Sequence, residues 1–331
     1  MEQAILIPTL AEKVFARDLT DGQQVETAFV VRELSRRAKR NGDAFLKLQL
    51  GDVTGRIDAV CWDDVDAIAE AALPGTVVIV RGTYSEDERF GSTLTVRSAR
   101  AAGDGEYDPQ DLHECAPIPF GQMEADLREL IGTVQCPHLR QLLDGLIAPE
   151  GRIWERYSIW PAAKHYHQAY RHGLLEHCLS VAQGVSAMAA TFPGLDRDVA
   201  VTGALLHDIG KIEAYEMEGG AIDLSDAGKL QGEIPLGYHI VRREIEEIPG
   251  FPAATAEAVL HIILSHHGSL EHGSPVVPCT REATLVHAID NLGGKLGSFD
   301  RLEKSLGDGE RWSRFDRALE SSAYFARRNA A

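Results

Sequence analysis

A short stretch in the second half of the chain, residues 204–211, constrains the fold most strongly. It begins as an apolar run of helical character and ends in the adjacent pair His207 and Asp208, followed by Gly210. Glycine permits a sharp exit from a helix, so we expect the pair to lie at a helix end. An ionisable pair directly after two leucines must be paired or ligated, because burying a bare charge is costly. Taken alone, the pair fits either a helix cap or a metal site.

The length of 331 residues predicts two domains with a connecting segment. Apolar residues make up 44% and charged residues 25%, as in ordinary globular proteins, and no apolar run approaches the length of a membrane span. The N-terminus lacks the basic and apolar regions of a signal peptide. Five scattered cysteines, never in a C-x-x-C motif, predict free thiols in a reducing cytoplasm rather than disulfides or a zinc–thiolate site.

The net charge of −17 argues against broad nonspecific binding to duplex nucleic acid, because such binding requires a basic surface. A local basic groove is compatible with this total, since the first 105 residues are less acidic than the rest. Basic side chains are concentrated in one short segment of that part. This basic cluster consists of Arg32, Arg36, Arg37, Lys39 and Arg40.

Residues 24–100 carry the signals of a small β-barrel. Alternation of apolar and polar residues predicts strands at 25–31, 45–50, 56–62, 76–84 and 92–96, with a short helix at 63–73. Glycine-containing turns separate the first three strands. The order of three strands, a helix and two strands fits a five-stranded barrel of the OB type. The segment 42–62, with its Asp-x-Thr-Gly turn, is similar to OB-folds that bind nucleic acids.

An OB barrel binds single strands by stacking bases on aromatic rings and by tracking phosphates with cations. The candidate residues for this role are Phe45, Trp62, Tyr84 and Phe90, together with the basic cluster. The alternative is that the aromatic side chains form the barrel core and that the basic segment is a solvated hairpin. We expect strand binding by the barrel as a whole, with single-stranded RNA or DNA as the partner.

The pattern changes after the barrel. Residues 101–120 are rich in turn-forming glycine, proline and aspartate, and the pattern is helical from Met123 onwards. We therefore expect an OB-fold domain at 1–105, a linker with short helices at 106–149, and an all-α domain at 150–331. The fold class is a multidomain chain in which an all-β barrel precedes a helical domain.

Histidines and aspartates recur at or near the ends of helix-like segments within residues 150–331. The candidate metal ligands are His177, His207, Asp208, His239, His266, His267 and Asp290. Neutral imidazoles and carboxylates suit Mn, Fe, Co, Ni and Zn. Seven such groups exceed what one tetrahedral ion needs, and they suit two divalent ions that share a carboxylate. His287, one helical turn from Asp290, is the expected supporting partner.

The order His…His-Asp…His…His-His…Asp resembles the HD phosphohydrolase superfamily in its two-metal form. Further segments resemble the YhaM-type 3′–5′ exoribonucleases, which also join an N-terminal OB-fold to an HD domain. These segments are 162–167, 173–177, 206–211, 237–240, 264–268, 273–275, 280–283 and 289–292. The resemblance covers nearly the whole chain and implies that residues 150–331 form an HD phosphohydrolase domain.

The resemblance also implies roles for individual residues. One ion is held by His177, His207, Asp208 and Asp290, and a second by Asp208, His239, His266 and His267. Manganese is the expected metal, ahead of Fe, Co, Ni or Zn. Lys164 and His167 match positions of the family that contact substrate or pack beside it. Lys211 is a candidate for holding a phosphate oxygen in the transition state, the alternative being a lysine that interacts with a helix dipole.

The implied activity is hydrolysis of single-stranded RNA, and of DNA as a further candidate, from the 3′ end to nucleoside 5′-monophosphates. Two ions that share a carboxylate can activate water and hold the phosphodiester. Two alternatives stay open: a nucleotide or cyclic-dinucleotide phosphodiesterase, and a strand-binding replication or repair protein with a structural HD site. Similar proteins assemble, so helices after Gly297 are a candidate surface for a homo-oligomer.

Overall fold

The computed structural model describes residues 13–39, 42–87, 91–103, 105–108, 111–112, 116–164, 168–218, 221–304, 306–307 and 309–326. The described residues fall into two compact units. One unit lies within 1–114 and 217–222, and the other within 115–216 and 223–331. None of the helices in the described ranges combines the length and the apolar character that crossing a lipid bilayer requires.

Five strands of the first unit close into a barrel in the order β1-β2-β3-β5-β4. The elements are β1 Gln24–Ala38, β2 Ala44–Asp52, β3 Gly55–Cys61, α1 Val65–Ala71, β4 Val77–Asp87 and β5 Gly91–Ala101. β3 and β5 pair in parallel, whereas the other neighbours pair antiparallel. The inward side chains form an apolar core that includes Phe29, Leu50 and Leu94. This order of strands, with one helix before β4, confirms the predicted OB-fold.

The first strand is longer than the sequence pattern predicts. β1 continues to Ala38, so Arg36 and Arg37 lie on a strand and not in the expected hairpin loop. After a β-bulge, these two residues pair with Leu46 and Phe45 of β2. The side chains in this half of β1 are mostly exposed, and an exposed strand needs no apolar alternation. The pattern of apolar residues therefore cannot reveal it.

The Asp-x-Thr-Gly turn between β2 and β3 depends on Asp52, which is 1% exposed. Its Oδ1 accepts hydrogen bonds from the amide and the hydroxyl of Thr54, at 2.8 and 2.6 Å. Its Oδ2 accepts from Lys13 Nζ at 2.8 Å and from the Ala16 amide at 2.7 Å. The buried charge is thus paired and fully hydrogen-bonded. Asp52 thereby ties this turn to the segment that precedes β1.

The second unit is helical. Its elements are α2 Phe120–Gly132, α3 Pro137–Ile147, α4 Trp154–Ile159, α5 Gly173–Ala189, α6 Arg197–Leu206, α7 Lys211–Ala214, α8 Asp226–Gln231, α9 Glu233–Glu247, α10 Ala253–Ser265 and α11 Arg281–Lys304. A two-stranded sheet, β6 Tyr215–Glu218 and β7 Ala221–Leu224, separates α7 from α8. One apolar core joins α2, α3, α5, α6, α9, α10 and α11. The stretch 106–149, expected to be a linker with short helices, thus contributes α2 and α3 to this core.

Candidate functional site

Four segments of the helical unit bring together six of the seven predicted metal ligands. The donors are His177 from α5, His207 and Asp208 after α6, His266 and His267 after α10, and Asp290 from α11. The apolar face of each helix is buried in the common core, which fixes the helix ends relative to one another. His207, Asp208 and His266 are 1–2% exposed, so the centre of this cluster is shielded from solvent.

The turn after α6 is shaped by the close approach of α9. Gly210 has helical backbone angles, with φ of −65°, so it does not provide the sharp exit that the sequence suggested. A Cβ atom at Gly210 would collide with the carbonyl of Glu233 and would lie 2.5 Å from the amide nitrogen of Gly237. Glycine is therefore needed here because the first turn of α9 packs directly against this backbone.

All four histidines of the cluster direct their Nδ1 atom at an oxygen outside it. The acceptors are Gln168 Oε1 for His177 at 3.0 Å, Ala204 O for His207 at 2.7 Å, Ile263 O for His266 at 2.8 Å and His272 O for His267 at 2.9 Å. An imidazole that donates from Nδ1 presents the lone pair of Nε2 on its other side. The four rings are thus oriented as metal ligands are.

The carboxylate of Asp208 lies between two groups of imidazoles. Its Oδ2 is 3.2 Å from His177 Nε2 and 3.5 Å from His207 Nε2, whereas its Oδ1 is 3.5 Å from His266 Nε2. Asp290 Oδ1 lies 3.2 Å from His177 Nε2. One oxygen of Asp208 therefore faces the side of His177 and Asp290, and the other faces the side of His266.

Unpaired atoms at the centre of the cluster fit a divalent cation. Asp208 Oδ1 and His266 Nε2 are both buried without a hydrogen-bond partner. The Nε2 atoms of His177 and His207 approach to 3.2 Å, which would set two lone pairs against each other if both rings were neutral and donated from Nδ1. Buried lone pairs that face one another are costly unless a cation lies between them. The donor set of imidazoles and carboxylates is the one that divalent transition metals prefer.

The charges within the cluster are strongly coupled. Burial lowers the pKa of His177, but hydrogen bonds to Asp208 and Asp290 outweigh it and raise the value to about 9. Burial lowers the pKa of His207 to about 4. Burial would raise the pKa of Asp208 and of Asp290, yet the surrounding cationic groups hold both well below the usual range. The two carboxylates therefore stay ionised and favour a bound cation.

Lys211 forms an ion pair with the central carboxylate. Its Nζ lies 2.6 Å from Asp208 Oδ2, and its side chain is only 14% exposed. Burial lowers the pKa of Lys211, but the charge of Asp208 more than offsets this and raises it above the ordinary value. The sequence placed Lys211 one turn past Asp208, and the structure brings its ammonium group into direct contact with the cluster.

Two other described candidates, His239 and Lys164, are not among the grouped donors. His239 is exposed on α9, apart from the grouped donors, and its predicted role as a ligand stays a prediction. Helical periodicity is the reason, since Val241 and Ile245 turn their side of α9 to the core and His239 falls on another side. Lys164 is paired with Asp223 at 3.0 Å, and His167 lies outside the described residues.

The barrel carries an aromatic pair beside basic residues. Phe45 and Trp62 stack with their ring centroids 4.8 Å apart, and Trp62 is 42% exposed. Lys39 Nζ lies 5.5 Å from the centroid of the Trp62 ring and 3.1 Å from its carbonyl oxygen. Arg36 and Arg37 are exposed on β1, where Arg36 pairs with Asp66 at 2.8 Å.

The other residues predicted to bind a strand on the barrel are not part of this aromatic and basic group or are not described. Tyr84 is 6% exposed and belongs to the core of the barrel, as the structural alternative predicted. Arg32 is half-buried, and its guanidinium donates to the carbonyl of Leu112 at 3.3 Å. Arg40 and Phe90 lie outside the described residues.

Sequence reasoning missed two side chains next to the cluster. Gln168 accepts the hydrogen bond of His177 and has a positive φ of 60°. Glu233 opens α9, and its Oε1 lies 3.7 Å from His267 Nε2. Neither residue type is distinctive in a sequence, so only the packing of the helices could identify them. His287 was expected to support the ligands, and its Nδ1 lies 2.7 Å from the carbonyl oxygen of His266.

Two family models match the two units. A model described as the HD domain matches residues 174–294, which include all six clustered donors. A model described as an OB-fold nucleic acid binding domain matches residues 30–100, within the five-stranded barrel. These matches agree with the fold of each unit.

Curated relatives match the chain over nearly its whole length. It is 32% identical to the 3′-5′ exoribonuclease YhaM of Bacillus velezensis, over 92% of this chain and 95% of the relative. It is 31% identical to the YhaM protein of Bacillus subtilis, over the same shares of the two chains. It is 30% identical to the YhaM protein of a Geobacillus species, over 92% of each chain. The similarity thus spans both the barrel and the helical unit.

Proposed function

The chain belongs to the YhaM family of 3′–5′ exoribonucleases, and from this premise we propose that it shortens single-stranded RNA from its 3′ end. It is a metal-dependent phosphohydrolase with an HD domain and an OB-fold. Each cycle hydrolyses the last phosphodiester bond and releases a nucleoside 5′-monophosphate. Single-stranded DNA is a further candidate substrate.

One observation carries the proposal: four imidazoles, each anchored through Nδ1, converge on both oxygens of one buried carboxylate. A structural histidine cluster gains nothing from opposing lone pairs, whereas a pair of divalent ions needs them. In this proposal His177, His207, Asp208 and Asp290 hold one ion, and Asp208, His266 and His267 contribute to the second. Asp208 serves both ions through its two oxygens.

Each side chain then has a defined task in the reaction. Bound divalent ions acidify water and stabilise the charge that develops on a phosphodiester. Asp208 and Asp290 remain ionised, and their negative charges would bind the cations. Lys211 donates one hydrogen to Asp208 and directs its remaining hydrogens to a non-bridging phosphate oxygen. Gln168 and the backbone carbonyls keep the imidazoles in the required orientation.

The barrel supplies affinity for the strand. We assign base stacking to the exposed face of Trp62, which Phe45 supports from behind. Arg37 lies at the end of β1 and Lys39 directly after it. Both provide positive charge for the phosphates. Aromatic stacking does not depend on base identity, so this surface suits an enzyme that degrades strands of any sequence.

Manganese is the metal we propose, with Fe, Co, Ni and Zn as the competitors. Mixed imidazole and carboxylate donors are compatible with all five, and carboxylates shift the preference towards Mn. The test is to remove metal, to reconstitute with each ion separately, and to compare the initial rates of RNA hydrolysis. Highest activity with Zn would contradict the assignment.

We also propose a homo-oligomer. Six of the large apolar side chains that are exposed in the described residues lie on α11 or after it, and exposed apolar side chains of this kind can form an assembly surface. This exposed apolar set consists of Leu292, Leu296, Phe299, Trp312, Phe315 and Tyr324. Light scattering coupled to size exclusion is the test, and a monomer at micromolar concentration would refute the proposal.

The cytoplasm is the compartment we propose. Cys61, Cys136, Cys178 and Cys279 are free thiols, and Cys279 is exposed. Exposed thiols persist where the surroundings are reducing. Detection of the protein in the cytoplasmic fraction of its host would support this, and detection outside the cell would oppose it.

The decisive test of the activity is a gel time course with 5′-labelled single-stranded RNA and, in parallel, DNA. We would compare Mn²⁺, EDTA and the Asp208→Asn variant. Progressive shortening of the 5′-labelled strand that requires both metal and an intact Asp208 supports a 3′-directed exonuclease. Hydrolysis that persists in EDTA overturns the role of the ions. If strands stay intact under every metal while cyclic dinucleotides are cleaved, the chain is instead a small-molecule phosphodiesterase.

A further inference from the structure

One side of helix α11 carries an apolar stripe that the chain covers only in part. Its members recur at alternating spacings of four and three residues, the pattern of helices that pack along their length. This stripe, the α11 seam, consists of Leu285, Ile289, Leu292, Leu296 and Phe299. Leu285 is 9% exposed, and Ile289 packs against the core of the helical unit. Leu292 and Leu296 are 50% and 55% exposed, so the second half of the seam is open.

The cover of the seam ends where α5 leaves it. A Cβ atom added at Gly184 of α5 would lie 2.9 Å from Cγ2 of Ile289, so the two helices are in close contact at that level. One turn further along α11, a Cβ atom added at Gly293 would meet no atom within 4 Å. Gly293 flanks the seam between Leu292 and Leu296. The heptad spacing thus continues past the point at which the chain supplies a helix to pack against it.

The two sides of the exposed half carry charges of opposite sign. Lys295 flanks it on one side and Asp300 on the other, five residues later, and both side chains are exposed. The neighbouring Arg301 is paired with Asp316, whereas Lys295 and Asp300 have no ion partner among the described residues. Flanking charges of this kind form the ion pairs between helices that set their partner and their direction.

The spacing of these charges favours a parallel pair of identical helices. In that arrangement a side chain on one flank lies beside the residue five positions later on the opposite flank of the partner helix. Lys295 of each copy then meets Asp300 of the partner subunit, and symmetry gives two such ion pairs. An antiparallel pair would instead bring the two lysines to the same side of the contact, where like charges repel.

A strand of RNA fits the exposed half of the seam less well than a second helix does. Leu292 and Leu296 offer no ring on which a base could stack. The charges of Lys295 and Asp300 cancel, so the flanks provide no net attraction for a polyanion. Apolar side chains at heptad spacing with complementary flanks are instead the surface that a helix of the same sequence matches.

We propose that the α11 seam pairs in parallel with the α11 seam of a second copy of the chain. Leu292, Leu296 and Phe299 form the apolar contact, and Lys295 pairs with Asp300 of the partner subunit. The inference rests on the homo-oligomer proposed above and specifies its contact, its direction and its charge pairing. Because both copies use the same surface, the contact closes at two chains.

The test is a dilution series of the full chain, followed by sedimentation and light scattering. Lys295→Glu and Asp300→Lys each set like charges side by side in the parallel pair. We expect each variant to raise the dimer dissociation constant by roughly 10-fold. Mixed in equal amounts, the two variants present opposite charges to each other, and we expect heterodimers with nearly the affinity of wild type.

A second variant tests the apolar contact. Leu296→Lys places a charge in the middle of the seam, and we expect it to abolish the dimer at micromolar concentration. Leu230→Lys is the matched control, because Leu230 is 83% exposed on α8, outside the seam. Circular dichroism verifies that each variant is folded. Should Leu296→Lys fail to fold, the two charge variants carry the test, since they alter exposed positions alone.

The outcomes separate the two proposals. A monomeric wild type refutes the homo-oligomer, and the inference falls with it. A dimer whose dissociation constant is the same in both charge variants overturns the parallel pair while the homo-oligomer stands, because an antiparallel pair keeps like charges together in every case. Equal dissociation constants in Leu296→Lys and Leu230→Lys overturn the seam as the contact. If Leu296→Lys weakens RNA binding and leaves the dimer intact, the seam belongs to the strand and the inference is wrong.

Discussion

Lys211 Nζ and Asp208 Oδ2 are 2.6 Å apart, three residues from each other in sequence, and neither side chain is more than 14% exposed. A buried charge that loses its partner is strongly destabilising, by about 3–5 kcal/mol. We expect Lys211→Met to lower the unfolding free energy of the metal-free protein by about this amount. Mn²⁺ should recover most of it, because the ions supply the missing positive charge. Thermal unfolding with EDTA and with Mn²⁺ measures both values.

Lys164 offers the matched control for this experiment. It pairs at 3.0 Å with Asp223, whose side chain is 65% exposed. Such a pair contributes at most about 1 kcal/mol, so Lys164→Met should leave the melting temperature nearly unchanged. Equal losses in the two variants, or a loss in Lys211→Met that Mn²⁺ does not reduce, would contradict the assigned role of Lys211.

Gln168→Leu should weaken metal binding without removing a metal ligand. The amide oxygen of Gln168 holds His177 Nδ1 at 3.0 Å, and loss of such a supporting hydrogen bond typically costs about 10–100-fold in metal affinity. Competition with a chelator of known affinity measures the change. Gln135→Leu serves as the control, since the side-chain amide of Gln135 donates to the backbone carbonyl of Thr133 on the surface. Metal affinities that stay equal would argue against Gln168 as a positioning residue.

Gly210→Ala should disrupt the packing of α9 on the metal-bearing turn. The added methyl group would overlap the carbonyl of Glu233, and overpacking of this kind costs about 1–3 kcal/mol or more. Gly293→Ala is the control, because a Cβ at Gly293 meets no atom within 4 Å. Since Gly293 lies inside α11, alanine there should stabilise the protein by about 0.5–1 kcal/mol. A melting temperature of Gly210→Ala equal to that of wild type would refute the close contact.

Trp62→Ala should weaken strand binding. Loss of one stacking platform costs about 1–3 kcal/mol, which corresponds to roughly 5–150-fold in affinity. Fluorescence anisotropy with a labelled single-stranded RNA and catalytically inactive Asp208→Asn protein measures binding without turnover. Trp312→Ala, which removes another exposed tryptophan, is the control and should leave affinity unchanged. If the two variants bind the RNA with equal affinity, Trp62 has a purely structural role.

Most of the barrel could be predicted, because parts of β2, β3 and β5 alternate between more and less buried side chains. The half of β1 that carries Arg36 and Arg37 could not, since an exposed strand has no apolar pattern to read. The exposure of the aromatic side chains could not be predicted from the sequence either. Tyr84 and Trp62 lie in similar sequence contexts, yet one is 6% and the other 42% exposed, which depends on how the strands close.

In the candidate metal centre, residue type and order predicted six side chains that the structure brings together, because imidazoles and carboxylates are the donors that divalent transition metals prefer. His239 follows the same order but is exposed on α9, and the order of residues alone could not predict this, since a difference of one residue rotates a helical side chain by about 100°. Glu233 shows the reverse case. Nothing in the sequence distinguishes it from other surface glutamates, yet α9 packs against Gly210 and its Oε1 lies 3.7 Å from His267 Nε2.

The 24-residue helix α11 carries Asp290 in its interior and three members of the exposed apolar set, Leu292, Leu296 and Phe299. A change in the rotation of this helix would therefore move a proposed metal ligand and a candidate assembly surface together. If a partner subunit binds more tightly to the rotation of α11 found in the metal-bound protein, assembly raises the affinity for metal. By thermodynamic reciprocity, metal then raises the affinity for the partner subunit by the same factor. Under that linkage the apparent metal affinity depends on protein concentration, and dilution alone can deactivate the enzyme.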